Sequence, residues 1–188
     1  MIKTVKKIIS YIMVCVLFLS MCIPCEAAQT STATASDANA TTGFPQITST
    51  SAIIMDAQSG QIIYEKNSHT RQYPASITKI MTAYLAIKNG DLNSTITMSD
   101  AAVWGIDRNS SHIALDVGEE ISMSDALYAV MLMSANEAAW AIAEQVSGSL
   151  ENFVQLMNDT AQSLGCKDTH FTNANGLHDP DHYTTAYD

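Results

Sequence analysis

The stretch Tyr73-Pro74-Ala75-Ser76-Ile77-Thr78-Lys79-Ile80-Met81-Thr82-Ala83 decides how the chain is read. Pro74 stands just ahead of a helical pattern and Gly90 just after it, the expected start and stop signals. From Ser76 to Asn89, Ile77, Ile80, Met81, Tyr84, Leu85 and Lys88 follow the i, i+3, i+4, i+7, i+8 spacing of one helix face, with Lys88 the polar exception. Ser76 and Lys79 are three apart, so hydroxyl and ammonium share a face and can meet. Ser76 also lies at the helix N-terminus, where the positive end of the dipole favours an emerging alkoxide. A serine is a weak nucleophile until a base takes its proton. A lysine is such a base when desolvation or a nearby cation lowers its pKa. Ser-x-x-Lys is short enough to arise by chance, and the plain alternative is a capping serine beside a solvated lysine.

Upstream, Ser51-Ala52-Ile53-Ile54-Met55-Asp56 and Gln61-Ile62-Ile63-Tyr64-Glu65 are β-rich, with Gln58-Ser59-Gly60 between them as the turn. They predict an antiparallel hairpin, which needs a larger sheet or covering helices to be stable. Downstream, residues 91–121 are mixed and turn-rich. Ser122-Met123-Ser124-Asp125 then reads as a capping box. It opens a helix with Leu127, Val130, Met131 and Ser134 on one face. That helix breaks at Ser134-Ala135-Asn136. An Ala-rich helix follows from Glu137 to Ser147 and stops at Gly148; another runs from about Leu150 to Leu164, with Phe153, Leu156, Met157, Ala161 and Leu164 on its apolar side, and ends at Gly165. There is no internal repeat and no nucleotide-binding glycine loop.

Ser134-Ala135-Asn136 is the second chemical candidate. A serine between two helices can relay a proton to or from a leaving amine, and the Asn amide can hold a substrate carbonyl or orient the lysine. The alternative is a helix-ending serine and a helix-capping asparagine.

The N-terminus is set aside from the fold. Lys3, Lys6 and Lys7 precede an almost wholly apolar run, Ile8 to Ile23, then Pro24 and Cys25-Glu26-Ala27, the pattern of a cleaved export signal over residues 1–27. The run is short for a spanning helix of about 20 residues, so an uncleaved anchor is the alternative. A lipoprotein fits less well, because Met21 stands where a small residue belongs. Residues 28–45 are rich in Ala, Thr and Ser and read as a flexible linker. The domain is expected over 46–188.

Hydrophobic residues make up 47% of the 188-residue chain, enough for one globular core. Cleavage removes three of the nine Lys+Arg and one of the nineteen Asp+Glu, leaving six against eighteen, a net charge of −12. Nucleic acid is not expected as a partner, since phosphate binding needs clustered cations. Cys15, Cys22 and Cys25 leave with the signal, so Cys166 has no intrachain disulfide partner and no CxxC reading survives. His69, His112, His170, His178 and His182 match no zinc spacing. The densest cluster, His178-Asp179-Pro180-Asp181-His182, reads as a polar turn; no metal and no cofactor is expected. Trp104 and Trp140 read as packing residues, and Asp125 and Glu137 as cap and first-turn acids.

The two motifs together carry a resemblance. The run Tyr73–Ala83 resembles the nucleophile region of the D-alanyl-D-alanine carboxypeptidases, the low-molecular-weight penicillin-binding proteins. Leu132-Met133-Ser134-Ala135-Asn136-Glu137-Ala138-Ala139 resembles their second motif, and Phe171-Thr172-Asn173-Ala174-Asn175-Gly176-Leu177 and His182-Tyr183-Thr184-Thr185-Ala186-Tyr187-Asp188 a later stretch. Ser-x-x-Lys with Ser-x-Asn and Lys-Thr-Gly is a penicillin-binding signature. The resemblance covers about residues 47–188. It implies an α/β (α+β) class: the penicillin-binding, β-lactamase-like transpeptidase fold, a helical cluster plus an antiparallel sheet.

Carried over by motif, Ser76 is the acyl-forming nucleophile, Lys79 its base, Ser134 a proton relay and Asn136 a substrate-binding residue. The implied function is removal of the terminal D-alanine from peptidoglycan stem peptides ending in D-Ala-D-Ala, through an acyl-enzyme, with β-lactams as inhibitors. The alternatives are a class A-like serine β-lactamase or a non-catalytic remnant. The implied location is exported: the extracytoplasmic face of the membrane, the cell wall or the periplasm. Membrane association would come only through an uncleaved signal or a C-terminal anchor beyond these residues. No Lys-Thr-Gly or Lys-Ser-Gly follows Asn136. The expectation is a truncated N-terminal fragment that lacks most of the sheet and part of the oxyanion hole, and is poorly folded and inactive alone.

Overall fold

The computed structural model describes residues 46–188, so the signal-peptide and linker readings lie outside the described residues. The hairpin forms as expected. Strands β1 (Ala52–Met55) and β2 (Ile62–Lys66) pair antiparallel, with a register shift between Ile54 and Met55. Asp56 shapes the turn: its carboxylate accepts from the Ser59 backbone N–H at 2.7 Å and the Ser59 hydroxyl at 2.6 Å. These two bonds hold the Asp56 carboxyl below the usual range.

Pro74 leads into a 3-10 turn, Ala75–Ile77, and α1 follows as Thr78–Asn89. The helix expected from Ser76 therefore starts as a tighter turn. The turn-rich stretch after Gly90 holds structure that its periodicity does not betray: β3 (Thr95–Thr97), the short α2 (Asp100–Trp104) and β4 (Glu120–Ser122). β3 and β4 form a second, separate two-stranded antiparallel sheet. Three residues are too few to show a period of two.

The last three helices fall where the sequence puts them: α3 (Met123–Met133), α4 (Asn136–Ser147) and α5 (Leu150–Leu164). Ser122 caps α3 by accepting from the Asp125 N–H. Asp125 answers by accepting from the Ser122 hydroxyl rather than from its backbone. Gly148 (φ +77°) ends α4 in the left-handed region that glycine enters without a Cβ penalty.

Helix α4 runs through the middle. Ala138, Ala139, Ala141, Ile142 and Ala143 are all buried, because alanine side chains let α1, α3 and α5 approach its backbone closely. On one side it joins a core of Ile96, Met98, Val103, Met123 and Val130. On the other it joins Leu85, Phe153, Met157, Phe171 and Ala174.

Three expected faces differ, the last only at the end of α5, where Leu164 is exposed. Ile77, at the end of the 3-10 turn, and Ile80, on α1, are 66% and 60% exposed, while Thr78, Lys79, Thr82, Ala83, Leu85 and Ala86 turn inward. On α3, Met131 is exposed. For α1 the inward face is chosen by polar partners: Lys79 and Thr82 find acceptors in the interior, and small Ala83 and Ala86 sit beside them.

Beyond α5 the chain has little regular structure. It returns along the other elements, and Gln72 and Thr184 exchange two backbone bonds of 2.8 and 2.9 Å. The segment between His170 and Tyr183 is closed into a loop by two further bonds. This strap passes directly over the 75–79 turn.

Candidate active site

The sequence separates Ser76 and Lys79 from Ser134 and Asn136 by more than fifty positions; the fold brings all four together. Ser76 leaves the 3-10 turn at the N-terminal end of α1 and is exposed. Ser134 ends α3 in the left-handed region (φ +56°), which frees it from the helix and aims its Oγ at Ser76 Oγ, 2.9 Å away. Ala75 is also left-handed (φ +47°). Each such non-glycine residue costs roughly 1–2 kcal/mol, and here both lie directly at the Ser76–Ser134 contact.

Lys79 is 2% exposed. Its Nζ lies 2.7 Å from Asn136 Oδ1, 2.6 Å from the Asn175 backbone carbonyl and 3.3 Å from Ser76 Oγ. The order of these distances matters. A neutral amine has two N–H bonds and one lone pair. The two short acceptors take both N–H bonds, which leaves the lone pair toward the Ser76 hydroxyl. Burial pulls the Lys79 ammonium down to about 8, against an opposing upward pull from the buried Glu137 carboxylate. Relative to an ordinary lysine, far more of the amine is neutral near physiological pH.

Asn136 is the first residue of α4 rather than its cap, and it is buried. Its amide is used at both ends: Oδ1 accepts from Lys79, and Nδ2 donates to Ser110 Oγ at 2.8 Å. Its backbone N–H donates to Ser111 O. The 110–113 loop is thereby stitched to the first turn of α4.

Glu137 adds the next stitch: it is the first-turn acid of α4, as read, and it is buried. It is 0% exposed. Its Oε1 accepts from the Ile113 N–H at 2.7 Å, and its Oε2 is buried with no partner. A charge so placed in a low dielectric reaches Lys79, the other buried charge of this region. Asp125 keeps its cap role.

The sequence reading omitted the Asn175 carbonyl, Ser110 and the Glu137 charge. A backbone carbonyl leaves no trace in residue types. The one available signal was Asn175-Gly176, a turn dipeptide. Gly176 (φ +83°) is required twice: by its conformation, and because a Cβ there would overlap the Ala75 carbonyl oxygen. That close approach seats Asn175 against the motif.

The His178–His182 cluster forms the polar turn expected of it, with one ring carried inside. His182 is 2% exposed and bonded through both ring nitrogens. Among the described residues no group of three or more His, Cys, Asp or Glu is placed to hold a metal ion, and no helix is long and apolar enough to cross a membrane. Trp140 packs partly buried against the core and donates to Glu144, while Trp104 is exposed, with Arg108 over its ring.

Comparison with known proteins bears on what such a cluster belongs to. A family model described as D-alanyl-D-alanine carboxypeptidase, peptidase family S11, matches residues 36–188. The chain is 42% identical over 152 residues to D-alanyl-D-alanine carboxypeptidase DacA of Haemophilus influenzae, covering 77% of this chain and 38% of that protein. It is 40% identical over 141 residues to DacF of Bacillus subtilis, covering 73% and 36%. Among solved structures, penicillin binding protein 5 from Haemophilus influenzae superposes with a TM-score of 0.72 at 39% identity, over 76% of this chain and 43% of that one. A mutant of the Streptomyces K15 DD-transpeptidase gives 0.70 at 29% identity, over 76% and 58%. The chain thus spans less than half the length of the two curated relatives.

Proposed function

The chain belongs to the D-alanyl-D-alanine carboxypeptidase family, and on that footing we propose that it acts as a serine D-Ala-D-Ala carboxypeptidase on peptidoglycan stem peptides. The observation that carries the reading is the buried Lys79, whose two short acceptors leave its lone pair on Ser76.

The chemistry follows from that arrangement. Ser76 Oγ attacks the carbonyl of the penultimate D-alanine, and its proton passes to the neutral Lys79 amine. Lys79 now bears three N–H bonds; Ser134, 2.9 Å from Ser76, gives its hydroxyl proton to the amine of the departing D-alanine and takes one from Lys79 in return, which restores the neutral base. The C–N bond breaks and an ester remains on Ser76. Water then attacks the ester and gives a proton to the restored base; the ester C–O bond breaks, and Lys79 returns that proton to Ser76 Oγ, which regenerates both groups. Asn136 orients Lys79 in the resting site. Its Nδ2, held on Ser110, is the group that would turn to a substrate carbonyl. A β-lactam would acylate Ser76 by the same first step.

The finer assignments belong to the same reading: residues 1–27 as an export signal, 28–45 as a linker, 46–188 as the peptidase domain, and action outside the cytoplasmic membrane. Intact-mass measurement of the chain recovered from its producing cell tests the first of these; a mass retaining residues 1–27 would count against it.

The site itself is tested by incubating the chain with a fluorescent penicillin, and separately by following D-alanine release from a D-Ala-D-Ala peptide. A label lost in Ser76→Ala supports the reading. Rapid penicillin turnover without D-alanine release points to a β-lactamase instead. A folded chain with no Ser76-dependent label points to a non-catalytic protein.

A further inference from the structure

His182 is one of the most buried polar side chains in the described residues, and the chemistry above makes no use of it. Its surroundings fix its state. The Thr172 backbone N–H donates to Nδ1 at 3.0 Å, so Nδ1 is the acceptor nitrogen. The neutral ring then carries its proton on Nε2 and donates to Thr78 Oγ1, 2.7 Å away. The ring edge lies against Phe171, with centroids 5.6 Å apart. The His182 backbone N–H donates to Asp179 O, which closes the turn that delivers the ring.

Both partners matter by position. Thr78 lies inside the Ser76–Lys79 motif, immediately before the lysine. Thr172 begins the run that ends at Asn175 and Gly176. That run touches α1 three times: at Thr78 through His182, at Thr82, whose hydroxyl donates to Ala174 O at 2.6 Å, and at Lys79, which donates to Asn175 O. Of these, the His182 bridge is the one that joins two segments through a third, and it spans 104 positions of sequence. A buried imidazole satisfied at random would join any two elements. This one joins the two that meet at Lys79.

We propose that His182 is a positioning residue: its neutral imidazole clamps the 172–176 segment onto the Ser76–Lys79 turn and so holds the Asn175 carbonyl on the Lys79 amine. Loss of the clamp lets the segment lift, water reaches Nζ, and the lone pair is no longer directed at Ser76. Burial holds the His182 imidazole well below the ordinary histidine value, at about 4, so the clamp stays neutral through the physiological range.

This inference rests on the reading of Lys79 as the base, so the test reads Lys79 directly and not turnover. The 188-residue chain is labelled with 13C at lysine Cε, and the Lys79 resonance, assigned by its absence in Lys79→Gln, is titrated by NMR. The variants are His182→Phe, which loses both bonds, His182→Asn, which keeps an acceptor near Nδ1, and Thr78→Val, which removes the hydroxyl from the other side at constant shape. In His182→Phe and Thr78→Val the Lys79 midpoint is expected to rise by about one unit or more toward the ordinary lysine value, with a smaller rise in His182→Asn. If His182→Phe does not fold, the other two variants decide. A wild-type midpoint that is depressed and unmoved in folded variants overturns the clamp while leaving the base reading intact. A wild-type midpoint at the ordinary value overturns both.

Discussion

At the residue scale the site turns on one proton. Lys79 is useful only when neutral, and desolvation by burial makes the neutral form accessible near pH 8. Ser76 acylation should therefore rise with pH through about 8 and level off above it, which stopped-flow labelling with a fluorescent penicillin would read. Glu137 works in the opposite sense, since a nearby negative charge favours the ammonium. Glu137→Gln keeps an oxygen for the Ile113 N–H but removes the charge. The Lys79 midpoint should then fall below about 8 and the acid limb of the labelling profile should move to lower pH; an unmoved limb would mean that the charge is screened. Asn136→Ala removes the acceptor that directs one Lys79 N–H. Labelling should slow by about a hundredfold, the lower end of what a positioned proton-transfer group contributes, with little change in far-UV circular dichroism. Ser76, Lys79, Ser134 and Asn136 were all legible as motif positions. Glu137 was legible as an acid but not as a buried one, because burial depends on how the 110–113 loop folds back over α4.

At the element scale, local signals placed the long helices within a residue or two, since caps such as Ser122 and stops such as Gly148 and Gly165 act through the neighbouring turn alone. Ser122→Ala should cost about 1 kcal/mol in chemical denaturation, the usual worth of an N-cap. The strap is a different kind of element. Its conformation is set by Gly176, where any Cβ meets the Ala75 carbonyl. Gly176→Ala should destabilise the chain by roughly 1–3 kcal/mol. It should also raise the Lys79 midpoint, because displacing Asn175 admits water to the desolvated amine; a stability loss without a change at Lys79 would separate the strap from the site. The faces of α1 were misread for a physical reason. Hydrophobic periodicity assumes that burial follows apolarity, and here Lys79 and Thr82 are drawn inward by carbonyl and amide acceptors, which turns Ile77 and Ile80 out.

At the scale of the whole molecule, α4 is the shared wall of both core clusters. Phe153→Ala empties the second cluster and should cost about 3–5 kcal/mol by urea denaturation. His182 adds a pH dependence of known sign. Its folded pKa, about 4, lies below the ordinary 6.5. Between those values the unfolded chain binds the proton that the folded chain refuses. Its contribution to stability is therefore fully present above about 6.5, falls as pH drops, and is gone below about 4. The difference in urea midpoint between wild type and His182→Asn should narrow over that window; a constant difference would assign the acid loss to other groups. The sequence by itself determined the helices with their caps and stops, the hairpin, and the two Ser-containing motifs, because each is written in neighbours a few positions apart. Only the tertiary structure decided which face of α1 is buried, that Glu137 carries its charge inside, and that the Asn175 carbonyl completes the lysine's shell. Those outcomes depend on contacts across 24, 57, 96 and 104 positions, and a backbone carbonyl, identical in every residue, becomes specific only when the fold aims it.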